Sequence, residues 1–151
     1  MTGGCELCQH DGGRILYREA ALRVVLVQDP DYPGFLRVVW NAHVREMSDL
    51  DAEGRERLMR AVFAAEAALR RVLAPHKINL ASLGNLTPHL HWHVIPRFTD
   101  DAHFPQPIWG VRQRDPDATA VAHRAARLAE LEIMLARDLG AAATQAASLD
   151  G

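Results

Sequence analysis

Three histidines alternate strictly with apolar residues in Pro88-His89-Leu90-His91-Trp92-His93-Val94-Ile95-Pro96-Arg97. No other stretch constrains this chain as much. Alternation at period two reads as a β-strand with one buried face. Leu90, Trp92 and Val94 then point into a core. His89, His91 and His93 line the other face, with neighbouring rings about 7 Å apart. A single histidine in a strand is ordinarily a part-buried polar residue, but three in a row serve no packing need. Each imidazole can donate, accept or bind a metal near neutral pH. Two chemical readings are open: a metal held by His-x-His pairs, or a nucleophile flanked by helpers.

The chain has 151 residues, enough for one domain with its own core. Seventeen basic against nineteen acidic residues give a net charge of −2. No Lys/Arg block stands out, so a long nucleic acid is not an expected partner. An anionic substrate must then be held by local groups. With no apolar leader and no long apolar run, the expected location is the cytoplasm, away from membranes. Cys5 and Cys8 form Cys-Glu-Leu-Cys. A disulfide is disfavoured in a reducing compartment, and no strand precedes Cys5 to build a redox motif. Half of a zinc site and two free thiols remain as readings.

In chain order, Arg14–Tyr17 and Leu22–Val27 read as a hairpin about Glu19-Ala20. Residues 28–34 form a proline-bounded loop, and Phe35–Trp40 a third strand. A helix runs from about Asp51 to Leu73, capped by Ser48 or Asp51. Its stripe is Leu58, Val62, Ala65, Leu69 and Val72. Lys77–Leu83 reads as the fourth strand and the histidine row as the fifth. Residues 99–117 carry three prolines and should be irregular. A second helix spans about Pro116 to Leu139 with Leu128, Leu131, Leu135 and Leu139 inward and Gly140 as its cap. Residues 1–140 are expected to form one domain and 141–151 a flexible tail. The order of elements argues an α+β fold with an antiparallel sheet.

His-Leu-His-Trp-His-Val-Ile at positions 89–95 resembles the motif of the histidine triad (HIT) family, and Pro96-Arg97 resembles its dinucleoside-polyphosphate hydrolase branch. The resemblance implies a sheet of about five antiparallel strands under one long helix, and a homodimer. It implies a covalent nucleotidyl-histidine on His91, formed by attack on an α-phosphate. His93 would bond phosphate oxygens, and His89 would support the ring geometry or bind metal. This chemistry requires no metal cofactor. The leaving group would be a second nucleotide or an amine. Two rivals stand beside it: a nucleotide-sensing module with little catalysis, and a metal-dependent hydrolase.

The resemblance also suggests nucleotide contacts from Asn79 and Asn85, which strand-end and turn roles suit equally, and from Asp29, which lies where an acidic or amide residue often binds ribose hydroxyls. Trp109 resembles a C-terminal tryptophan that some members bring to the partner's active site. Many members carry a fourth histidine after the loop proline and its small neighbour, where this chain has Phe35. The resemblance further implies a structural zinc held by Cys5, Cys8, His43 and His89.

Overall fold

A computed structural model describes residues 4–149. Its elements are α1 (Glu6–Gln9), β1 (Arg14–Arg18), β2 (Leu22–Leu26), β3 (Leu36–Trp40), a 3₁₀ turn (Met47–Asp49), α2 (Ala52–Leu73), β4 (Lys77–Ala81), β5 (His91–Arg97), α3 (Ala118–Ala125) and α4 (Leu128–Leu149). The five strands form one antiparallel sheet in the order β1-β2-β3-β5-β4. This is the expected α+β architecture. β5 therefore lies inside the sheet, held on both sides by neighbouring strands.

α2 starts where the Asp51 side chain accepts the Gly54 N–H at 2.7 Å. It stops at Ala74, which takes a left-handed conformation at φ 47°. Between those ends Leu58, Ala61, Val62, Ala65, Ala68, Leu69, Val72 and Leu73 are buried. Their three- and four-residue spacing makes one apolar stripe. The stripe packs on Leu36, Val38 and Val94 of the sheet, and Leu131, Leu135 and Leu139 of α4 join the same core. Gly34, at φ +89°, lets the loop after β2 pass close to α2. A Cβ there would lie 2.7 Å from Leu73 Cδ1.

Four details depart from the expectations. His89 precedes β5 rather than lying in it, because its backbone leaves the ladder. Its N–H bonds to the Thr87 carbonyl at 2.8 Å, and the Leu90 N–H bonds to the Val44 carbonyl. Trp92 is only half-buried, and its indole N–H points at Met47 Sδ at 3.4 Å. The second long helix is divided into α3 and α4. Arg124 is tied to Asp100 and lies 3.6 Å from the Phe98 ring centroid, while the α4 leucines are drawn to α2. One straight axis does not satisfy both demands. α4 then runs through Gly140 to Leu149, because Ala141, Ala142 and Ala143 favour helix more than one glycine opposes it. No helix among the described residues is long and apolar enough to cross a membrane.

The sheet's other face carries the polar residues. Alternation and register set His91, His93 and Arg97 of β5 on this face, with Arg37 and Val39 of β3, Arg23 of β2 and Asn79 of β4. The N-terminal segment covers part of it. Arg23 fastens that segment by donating to the Asp11, Leu7 and His10 carbonyls, and it also bonds Asn41.

Candidate active site and metal cluster

His91 opens β5, and its environment sets its tautomer. Nδ1 lies 2.6 Å from the His89 carbonyl oxygen. A carbonyl only accepts, so Nδ1 carries the proton and Nε2 keeps its lone pair. Burial lowers the ring's pKa, the hydrogen bond to His89 raises it, and the nearby Arg37 charge lowers it again, for a net decrease. The Ser82 hydroxyl donates to the His91 carbonyl at 2.8 Å and ties the β4–β5 connection to the strand. A cleft of about 640 Å³ opens beside His91, lined also by Arg45, Met47, Ser82, Leu83 and Trp92.

His93 stands edge-on to His91 with ring centroids 4.8 Å apart. It is 5% exposed, and Phe35 and Trp109 flank it at 5.7 and 5.0 Å. Burial, with the neighbouring His91 and Arg37, pushes its pKa down to about 3. Both imidazoles are thus held neutral near pH 7. His93 Nδ1 is buried and has no hydrogen-bond partner. Such orphaned atoms are rare in folded proteins and call for an explanation. Trp109 reaches His93 from its own chain and remains 52% exposed.

His89 faces a different set of groups. Its Nε2 lies 2.6 Å from the Trp40 carbonyl oxygen, so Nε2 is the protonated nitrogen and Nδ1 bears a lone pair. That Nδ1 lies 3.3 Å from Cys5 Sγ, 3.5 Å from Cys8 Sγ and 3.3 Å from His43 Nδ1. Cys8 Sγ is in turn 3.3 Å from His43 Nδ1. All four ligand atoms lie within 4.8 Å of one another. Four tetrahedral N and S ligands of a zinc ion are separated by about 3.3–3.8 Å, given zinc–ligand bonds of about 2.0–2.3 Å. The donor set and its spacing fit such an ion. The carbonyl behind His89 is the support a metal-bound imidazole usually has. A His89 so engaged is unavailable as a general acid or base.

The remaining sequence-derived candidates are dispersed. Asn79 Oδ1 accepts from Arg97 Nη1 at 2.7 Å, on the same sheet face as His93. Asn85 is exposed in the β4–β5 connection, next to Gly84 at the cleft edge. Asp29 accepts the Asp31 N–H at 3.0 Å and lines a separate groove with Val121, Ala125 and Leu128. Sequence reasoning passed over Arg37, although the same period-two rule applied to β3 sets it on the histidine face opposite His93. It also passed over the carbonyls of His89 and Trp40, which no side-chain pattern reveals.

Comparisons with known proteins agree with this geometry. The HIT domain family model matches residues 11–100. The AP-4-A phosphorylase of Mycobacterium tuberculosis is 36% identical over 99 residues, covering 61% of this chain and 50% of that protein. The chain thus spans about half the length of the curated relative it matches. A histidine triad protein from Bradyrhizobium japonicum superposes with a TM-score of 0.65 at 34% identity, covering 80% of this chain and 90% of that one. One from Marinobacter aquaeolei VT8 gives 0.66 at 29%, covering 83% and 93%. With the family model matched over more than half of the chain's length, and His91 and His93 on the sheet's polar face, the chain belongs to the HIT family.

Proposed function

We propose that the protein is a nucleotide hydrolase or transferase in which His91 attacks the α-phosphate of a dinucleoside polyphosphate or nucleoside phosphoramidate. The observation carrying this reading is the His91 Nδ1–H bond to the His89 carbonyl at 2.6 Å. It leaves an unprotonated Nε2 on a ring that burial keeps neutral, which is the state a nucleophile needs. In the first step an Nε2–P bond forms and the bond from phosphorus to the leaving group breaks, its electron pair departing with that group. Water, or another acceptor, then cleaves the nucleotidyl-histidine. The orphaned His93 Nδ1 is a candidate partner for substrate. The AP-4-A phosphorylase relative supports the dinucleoside-polyphosphate class.

Cys5, Cys8, His43 and His89 would hold a structural zinc in this reading. A site with four protein ligands has no open position, so the ion would supply stability and no Lewis-acid chemistry. The chain would act as a homodimer, and light scattering gives its mass in solution.

The test is a rapid acid-free quench with substrate labelled at the α-phosphate, followed by mapping of the adduct. Label is expected on His91, and His91→Ala should lower turnover by several orders of magnitude. Label on His93, or near-normal turnover in His91→Ala, refutes the assignment.

A further inference from the structure

Four arginines share the sheet face that carries His91 and His93, and their surroundings differ; Arg18, across the ladder from Arg23, pairs with Asp11. Arg23 donates to three carbonyls and the Asn41 amide oxygen. Arg97 pairs with Asp101 through two nitrogens and also reaches Asn79 and the Gln106 carbonyl. Arg37 makes one hydrogen bond, from Nη1 to the Gly12 carbonyl at 3.0 Å, and its guanidinium carbon lies 5.9 Å from the Phe35 ring centroid. Its Nε is buried without a partner, and none of the ion pairs among the described residues involves it.

The two orphaned buried side-chain atoms among the described residues are Arg37 Nε and His93 Nδ1. These residues face each other directly across the β3–β5 ladder. A half-buried cation with unfilled donors, beside neutral rings, with the Glu6 carboxylate acting on it only from beyond ion-pair distance, is a poor structural element and a good anion site. Burial lowers the Arg37 pKa, as it does for a cation lacking full solvation. Guanidinium nevertheless stays charged at neutral pH.

Position identifies the anion. Val39 is the residue opposite His91, and Arg37 and His93 are the next inward pair along the two strands. In-line attack puts the departing oxygen on the side of phosphorus away from the nucleophile. We propose that Arg37, with His93, binds the phosphate of the leaving group, and so selects substrates cleaved at a phosphoanhydride over those cleaved at a phosphoramidate. This rests on His91 as the attacking group. When the Pα–O bond breaks, its electron pair goes to the departing phosphate, and the Arg37 charge sits where that negative charge grows.

The test compares wild type, Arg37→Gln and Arg37→Lys on diadenosine tetraphosphate and on adenosine phosphoramidate, with calorimetric titration of inorganic pyrophosphate. Arg37→Gln should lose about 10- to 100-fold in kcat/KM on the polyphosphate, the range for one charge-assisted hydrogen bond. It should change less than about 3-fold on the phosphoramidate, whose departing amine offers no anion to this group. Pyrophosphate affinity should fall with the polyphosphate rate, and Arg37→Lys should recover part of both. Equal losses on the two substrates, or undiminished pyrophosphate binding in Arg37→Gln, overturn the proposal. The phosphoramidate rate also reports whether Arg37→Gln keeps a working fold. If wild type cleaves neither nucleotide, the hydrolase reading fails by itself. Weaker pyrophosphate binding in Arg37→Gln then still supports the anion site, and unchanged binding removes it.

Discussion

At the start of β5, Cys5, Cys8, His43 and His89 turn atoms able to ligate a metal toward one another. At its far end, donors and acceptors are matched. The Asp101 carboxylate takes two bonds from Arg97, accepts the Phe98, His103 and Phe104 N–H groups, and lies 3.2 Å from the Tyr32 hydroxyl. Both clusters anchor irregular chain beside the histidine pair. The first fastens the N-terminal segment and the loop after β3. The second shapes the segment that carries Trp109 to His93. The protein completes one cluster alone, whereas the other has the composition of a site that a cation completes. Stability should therefore depend on solution metal at one end of the strand and on internal pairing at the other.

Removing Asp101 should have the largest effect. Asp101→Ala strands a buried guanidinium, since the Arg97 side chain is 3% exposed, and should cost about 3–5 kcal/mol in urea denaturation. A loss below about 1 kcal/mol would mean that solvent satisfies Arg97 and that the two clusters do not differ as described. Metal removal ranks next. With free zinc at about 100 times Kd, binding contributes about 2.7 kcal/mol. Chelation, or Cys5→Ser, should then lower Tm by about 5–10 °C in a chain of this size. Elemental analysis should find close to one zinc per chain before chelation and much less in Cys5→Ser. A Tm indifferent to chelator in protein shown to contain zinc breaks the comparison.

Acid should produce the smallest of these effects, and it should act on the Asp101 end. Burial alone would raise the Asp101 pKa, but Arg97 and three backbone N–H groups outweigh it and bring the value down to about 2. The unfolded carboxylate titrates higher, near 3.9. A depressed folded pKa stabilises the protein above the unfolded value and ceases to do so as pH falls through the folded one. Roughly 2 kcal/mol should thus disappear between about pH 4 and pH 2. Asp101→Asn should flatten that part of the stability profile. An unchanged slope in the variant would assign the acid sensitivity to other carboxylates.

Much of the fold follows from short-range pattern. The α2 stripe is legible because helix period and burial coincide at Leu58, Val62, Ala65, Leu69 and Val72. The faces of β5 are legible for the same reason from His91 onward. The pattern fails at His89, where backbone bonds to Thr87 and Val44, set by loop geometry, take over from strand pairing. The partner of Asn79 was hidden because Arg97 lies 18 positions away and meets it only after β4 and β5 pair. The course of residues 98–110 has no period at all. One carboxylate organises its start through three backbone N–H groups, and no apolar spacing records that. Gly140 reads as a stop when taken locally, yet the alanines after it carry α4 onward.

One residue belongs to two constructions at once. The His89 side chain faces the thiols, while its carbonyl holds the proton of His91. Three covalent bonds separate the ring-bearing Cβ from that oxygen. A substitution at position 89 removes the ring directly and, by releasing its hold on the Trp40 carbonyl and the thiols, frees the backbone oxygen that orients His91. A lineage that replaced His89 would keep that carbonyl but would need other contacts to hold it in line with His91. Under the proposed reading, ion binding and catalysis would thus be linked through one residue, although no ligand of the cluster except His89 adjoins the histidine pair in sequence.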